Sequence, residues 1–180
     1  MVEPGKPAPG FRLQSVDGET VTIDQFKGRW VVLEWTNPDC PFVLKHYGSS
    51  NMQSLQQYAA AQKVVWLQIN STHAGHSEYR SPLAMKAWNA EQKAVPSFAL
   101  LDPQGIAGRA YGARTTPQVV LINPIGVLVY HGAIDSIRSA NPADIPKAVP
   151  LLRKAIEEGL AGKAIGTPTS VPYGCSVKYA

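Results

Sequence analysis

Apolar positions along the chain change period from two to nearly continuous to helical, and that change predicts the elements. Residues 1–10 hold three prolines and two glycines, so they predict an extended opening segment. Phe11-Arg12-Leu13 and Thr20-Val21-Thr22-Ile23 flank Val16-Asp17-Gly18. Asp-Gly between alternating runs predicts a β-hairpin. After Gly28, Trp30 to Thr36 is apolar at nearly every position. That pattern predicts a strand covered on both faces, as in a sheet with helices on each side. From Pro41 the spacing turns helical, with Val43, Tyr47, Leu55 and Tyr58 near one face and Gly48-Ser49-Ser50-Asn51 kinking or splitting the helix. Val64 to Ile69 predicts a second buried strand, and polar residues 70–80, with His73, Gly75 and His76, a loop.

Ser81-Pro82 is a helix start, a cap followed by proline in the first turn, and this helix is expected to run to about Ala94. Ser97 to Leu101 predicts a short strand, Asp102-Pro103-Gln104-Gly105 a turn, and the residues through Ala110 and Tyr111 a short helix. Gln118 to Ile122 and Val127 to His131, joined by Asn123-Pro124-Ile125-Gly126, predict an antiparallel pair. Residues 143–161 are expected to form a last helix, with Pro146 and Pro150 tolerated near its beginning. From Gly162 the prolines and glycines predict an irregular tail. Strands alternating with helices, then closing with a hairpin and a helix, imply an α/β class: a mixed central sheet in a three-layer sandwich. With no repeat and no linker, residues 1–180 read as one domain, 162–180 forming the C-terminal tail.

Composition narrows the function. Of 180 residues, 44% are apolar and 17% charged, an ordinary globular balance. No apolar run approaches the roughly eighteen residues of a membrane span. The net charge is +4, but the Lys and Arg residues are scattered, which gives no support to a nucleic-acid partner. Two cysteines, Cys40 and Cys175, exclude a disulfide-rich scaffold and a four-thiolate zinc site. No ligand pair has a recognised metal spacing, so neither a metal nor an organic cofactor is expected. Met1-Val2-Glu3-Pro4 opens directly into a loop-like stretch. The protein is then either cytosolic or has lost a leader.

Cys40 follows the first central strand and directly precedes a helix. A thiol there faces unpaired backbone N–H groups and the positive end of the helix dipole, which favour the thiolate. Junctions at the C-terminal edge of a sheet are also where α/β sites form. The alternative is a buried inert cysteine. Asp39 opposes the thiolate, or caps the helix instead. His46 is expected to be a partly exposed packing residue; the alternatives are donation to the thiolate or metal binding. Lys45 and Lys178 are expected to be solvated, the tryptophans to lie in the core or its rim, and His73 and His76 to bond between loops.

Glu34-Trp35-Thr36-Asn37-Pro38-Asp39-Cys40-Pro41-Phe42-Val43 resembles the active-site segment of thioredoxin-like proteins, and Thr115-Thr116-Pro117 with the following hairpin resembles their cis-proline turn. Gly5-Lys6-Pro7-Ala8-Pro9-Gly10-Phe11 resembles the opening of the redoxin branch, which includes peroxiredoxins and bacterial thiol-disulfide oxidoreductases. Cys40 to Tyr47, Ala110-Tyr111-Gly112-Ala113 and the ending Tyr173-Gly174-Cys175-Ser176-Val177-Lys178-Tyr179 resemble a peroxiredoxin-like subgroup with a single active-site cysteine. The resemblance covers nearly the whole chain and implies a thioredoxin-like fold with an extra strand and helix before the final hairpin. Two departures stand out. Val43 occupies the place of the second cysteine of Cys-x-x-Cys, and Asn37 and Leu33 stand where peroxiredoxins have a hydroxyl residue and a proline.

The resemblance implies further roles. Glu34 falls where the thioredoxin pattern has a buried acid; desolvation would raise its pKa toward neutrality and let it pass a proton to or from sulfur. The alternative is a strand-end carboxylate facing solvent. Pro117 is expected to be cis, leaving the Thr116 backbone free to pair with an extended substrate chain. Cys175, in the tail, has three readings: a resolving thiol that forms Cys40–Cys175, a tail anchor or partner of another subunit, or a free thiol without a role. The leading expectation is a thiol-disulfide oxidoreductase with Cys40 as nucleophile. The alternatives are a thiol peroxidase using the same cysteines and a non-catalytic thioredoxin-fold binding module with a structural Cys40–Cys175 bridge. The expected partners are a thiol or disulfide protein or a small thiol, the oligomeric state a monomer or dimer, and the compartment extracytoplasmic, with a cytosolic location as the alternative.

Overall fold

The structure, a computed structural model, describes residues 2–180. The hairpin forms as the sequence predicts, from β1 (Arg12–Ser15) and β2 (Thr20–Thr22). Its turn uses Gly18 at φ +84°, a conformation open to glycine. The continuous apolar run becomes β3 (Val31–Trp35), buried at every position. Pro41 opens α1 (Pro41–Gly48), where its missing N–H costs nothing. The predicted kink is a full break: Ser50 takes φ +66°, and α2 (Asn51–Ala61) starts after it. β4 (Val65–Asn70) follows, then α3 (Pro82–Gln92), capped by the Ser81 hydroxyl accepting from the Ala84 N–H at 3.2 Å. This helix stops short of Ala94 because Lys93 turns left-handed at φ +56°.

β5 (Phe98–Leu101), α4 (Ile106–Ala110), β6 (Thr115–Thr116), β7 (Gln118–Ile122) and β8 (Leu128–Gly132) complete the alternating part. The expected helix over 143–161 is not continuous. A 3₁₀ segment, Pro142–Lys147, is followed by α5 (Leu151–Leu160). Pro150 forces the break: it has no N–H to donate, and the residues ahead of it are pushed to extended conformations. The tail is irregular, as expected, apart from β9 (Cys175–Ser176).

The sheet order is β2-β1-β5-β4-β3-β7-β8. β3 sits between parallel β4 and antiparallel β7, so the sheet is mixed. Alternate residues of β3 serve two cores. Val31, Leu33 and Trp35 pack with Leu67, Ile69, Tyr111 and the turn residues Ile23 and Phe26. Val32 faces the other way, among Val43 and Tyr47 of α1, Met52 and Leu55 of α2, Trp88 of α3 and Ile156 of α5. Among the described residues, no helix is long and apolar enough to cross a membrane.

The tail is docked along its length. His131 donates its N–H to the Pro168 carbonyl, and Ser170 binds back to the His131 carbonyl. The Val177 N–H donates to the Arg114 carbonyl, and the His73 N–H to the Lys178 carbonyl. The Tyr179 hydroxyl donates to the Ala113 carbonyl at 2.7 Å.

Candidate active site

Cys40 is the N-cap residue of α1, with extended backbone at φ −90° and ψ 123°. This is where helix N–H groups lack intrahelical partners. The thiol donates to the Thr116 carbonyl at 3.3 Å, and the residue is 1% exposed. Burial pushes its pKa up. The Cys175 thiol, the Thr116 side chain and the backbone N–H groups of Val43 and Cys175 outweigh that and hold it below the ordinary thiol value. The Thr116 hydroxyl is buried beside the thiol and has no hydrogen-bond partner among the described residues. Asp39 does not cap the helix. It is exposed and pairs with Arg80 at 3.4 Å, because the N-cap position belongs to Cys40.

The tail brings Cys175 to this thiol. β9 pairs antiparallel with β6, with Thr116 opposite Cys175 and Thr115 opposite Ser176. The Thr116-Pro117 bond is cis. Gly174 makes the approach possible, since a side chain there would collide with the Thr116 carbonyl. The two cysteines are free, and Cys175 packs against the buried cluster that holds Cys40. Burial first, and then the neighbouring Cys40 thiol and its developing charge, push Cys175 up to about 11. The pair is therefore asymmetric, with one thiol favoured as thiolate and the other held protonated.

Glu34 lies on β3, facing the helices, and is fully buried. It accepts from the Tyr47 hydroxyl at 2.6 Å, Trp66 Nε1 at 2.8 Å and Gln56 Nε2 at 3.2 Å. Desolvation raises its pKa to about 7, against the lowering effect of these three donors. Among the described residues no hydrogen bond joins Glu34 to Cys40. The solvent-facing alternative for Glu34 does not hold.

A buried polar cluster next to the thiol pair was not anticipated from the sequence. The Tyr173 hydroxyl donates to Asp135 Oδ1 at 2.7 Å and receives Lys45 Nζ at 3.0 Å. His46 Nε2 lies 2.9 Å from the same oxygen. Lys45 is only 2% exposed, its ammonium also reaching the Ile137 carbonyl at 3.1 Å, so the expectation of a solvated lysine fails. His46 is 0% exposed rather than partly so, and its other nitrogen meets Asn51 Nδ2 at 2.9 Å. Burial, with the Lys45 charge adding to it, depresses its pKa to about 3. The partner of both residues is in the distant tail, where no local periodicity points to it; the available signal was a Lys-His pair within a helix adjoining the thiol. His73 and His76 accept from the Gly75 and Glu78 N–H groups of their own loop, not from another loop. Asn37 donates to Glu78 at 3.1 Å. No metal-competent cluster of His, Cys, Asp and Glu occurs among the described residues.

A mixed sheet flanked by helices, with a thiol at the mouth of the helix after β3 and a cis-proline turn opposite, defines a thioredoxin-like fold. The chain belongs to the AhpC/TSA family, whose model matches residues 4–131. It is 28% identical over 138 residues to a thioredoxin peroxidase of Fasciola hepatica, covering 71% of this chain and 69% of that protein. An uncharacterised conserved protein of Geobacillus kaustophilus superposes with a TM-score of 0.87 at 27% identity, covering 100% of this chain and 94% of the other. A secreted Mycobacterium tuberculosis disulfide oxidoreductase shares the fold, with a TM-score of 0.52 at 22% identity over 66% of this chain and 79% of its own.

Proposed function

We propose that this protein is a thiol-disulfide oxidoreductase of the peroxiredoxin-like subgroup that cycles between a Cys40/Cys175 dithiol and a Cys40–Cys175 disulfide. The observation that carries the reading is the pairing of Thr116, whose carbonyl accepts from the Cys40 thiol, with Cys175. Cys40 is the nucleophile. Its thiolate attacks one sulfur of a substrate disulfide, forming a mixed disulfide and expelling the other sulfur as thiolate. Cys175, losing its proton, then attacks the Cys40 sulfur. The intramolecular disulfide closes and the second substrate thiol leaves. The Thr116 carbonyl and the cis Pro117 shape the groove beside the sulfur. Glu34, near pH 7 between its two protonation states, is the proton reserve for these steps. A small thiol or a thiol protein restores the dithiol.

A second reading, thiol peroxidase, is favoured by the thioredoxin peroxidase relative. There the Cys40 thiolate takes one oxygen from a hydroperoxide, releasing an alcohol, and the sulfenic acid condenses with the Cys175 thiol, releasing water.

The test is a reductase assay on a small disulfide and on insulin. Cys40→Ser is expected to abolish activity, and Cys175→Ser to stop at a mixed disulfide on Cys40. Unchanged activity in Cys40→Ser would overturn the reading. Peroxide consumption with a thiol donor that outpaces disulfide reduction selects the peroxidase. A reduction potential below about −300 mV for the Cys40–Cys175 couple marks a merely structural bridge.

A further inference from the structure

We propose that Tyr173 is a positioning residue that latches the C-terminal strand, holding Cys175 at Cys40 and keeping the Thr115–Thr116 edge closed to polypeptide disulfides. The proposal rests on the Cys40/Cys175 reading and assigns the substrate class: small disulfides or hydroperoxides, rather than extended chains, while the latch holds. The edge beside Cys40 is the place where an added strand can pair with the Thr116 backbone. In this chain that place is filled by β9, in register with Cys175. Cys40 is 1% exposed beneath it.

The strand is fixed on both sides of Cys175. Two residues before it, the Tyr173 hydroxyl meets Asp135, Lys45 and His46 in a buried cluster, while its ring packs edge-on against Phe42 at 5.9 Å. Four residues after it, Tyr179 reaches the Ala113 carbonyl and lies under the Arg109 guanidinium at 4.6 Å. Of the two anchors, Tyr173 governs the thiols, because it bonds to α1, the helix that carries Cys40 at its N-cap. Lys45 and His46 are in α1 and Asp135 lies in the loop after β8, so one hydroxyl ties two parts of the fold to the tail. A substrate small enough to reach the sulfur needs only local movement of the strand. A polypeptide disulfide must displace β9 and break the Tyr173 cluster first.

The latch then acts on two steps with opposite sign. It speeds closure of Cys40–Cys175 by keeping the attacking thiol in place. It slows the first attack on a bulky disulfide by occupying the groove. A loss of general structural integrity lowers both rates, so the sign pattern separates the two explanations.

The experiment measures both steps. In a Cys175→Ser background, adduct formation on Cys40 is followed by mass spectrometry with 5,5′-dithiobis(2-nitrobenzoate) and with insulin. With Cys175 present, closure to the intramolecular disulfide is followed after mixing with the small reagent. Tyr173→Phe is expected to raise adduct formation with insulin about tenfold or more, to leave that with the small reagent within about threefold, and to slow closure about tenfold. Gly174→Val, whose side chain strikes the Thr116 carbonyl and so unseats β9 without removing the Tyr173 hydroxyl, serves as the second variant and is expected to give the same pattern. Insulin reacting as fast as the small reagent with the latched protein would overturn the proposal, as would insulin adduct rates that fall or stay level in both variants, or unchanged closure. A Cys40→Ser protein, with Cys175 present, that accumulates adduct as fast as Cys175→Ser would instead overturn the underlying Cys40 reading.

Discussion

At the scale of single residues, the site is a set of pKa displacements with physical causes. Cys40 is held low by donors that outweigh its burial, and two of them are side chains, Cys175 and Thr116. Thr116→Val removes a buried hydroxyl that has no hydrogen-bond partner among the described residues and lies beside the thiol. The variant is expected to move the midpoint of Cys40 alkylation to higher pH, and an unmoved midpoint would remove the hydroxyl from the account. Glu34 and His46 displace in opposite senses. The folded chain keeps a proton on Glu34 up to about pH 7, whereas the ordinary value is 4.5, so rising pH removes stability across that window. His46 is neutral in the folded state down to about 3 and ordinarily titrates at 6.5, so falling pH removes stability below 6.5. The two slopes oppose each other, and the intact protein is expected to be nearly level between about pH 5 and 6.5. Glu34→Gln leaves the His46 slope alone, and stability should then rise with pH by about 2 kcal/mol over that interval. Urea unfolding at several pH values checks this; parallel curves for the two proteins would contradict it. Cys40 was legible in the sequence because its chemistry is local, a strand end followed by Cys-Pro and a helix. Glu34 was legible as a buried acid through the resemblance and its strongly apolar neighbours Leu33 and Trp35. Lys45 and His46 were misread because what buries them is Tyr173, whose sequence distance hides it.

At the scale of elements, α1 and β9 share the work. α1 supplies the N-cap for one thiol, and β9 delivers the other across the sheet edge made by β6. The exposures of the two sulfurs differ, Cys40 being buried and Cys175 half-buried. In the disulfide form, a donor thiol is therefore expected to attack Cys175 and expel Cys40, the better leaving group with its lowered pKa. Reduction with a limiting small thiol, quenched by N-ethylmaleimide, should leave the donor on Cys175 and the maleimide on Cys40. The reverse labelling would contradict that asymmetry. Packing sets a further constraint at α5, where a side chain at Gly159 would lie within 2.6 Å of the Trp30 ring. Gly159→Val is expected to cost about 1–3 kcal/mol by overpacking, read as a lower unfolding midpoint in urea. The strands and the starts of α1 and α3 followed from hydrophobic period and proline position. The break before α5 did not, because Pro146 and Pro150 leave open whether the chain tightens into a 3₁₀ turn or merely begins late.

At the scale of the molecule, the fold places Cys40 between the end of β3 and the start of α1 and covers it with its own C-terminal strand β9. The family match ends at residue 131, ahead of α5 and the tail, whereas the Geobacillus kaustophilus structure aligns with the whole chain. The tail thus lies outside the segment that defines the family, yet it supplies the second thiol. Treating residues 162–180 as irregular captured their lack of regular structure but not their docking, because turn-rich composition predicts local conformation and says nothing about long-range hydrogen bonds. One measurement tests the account most directly: oxidation of the reduced protein with one equivalent of a small disulfide, followed by peptide mapping. The account predicts a single intramolecular Cys40–Cys175 disulfide that dilute dithiothreitol reverses. Two free thiols, or a stable adduct on Cys40 with Cys175 untouched, would contradict it.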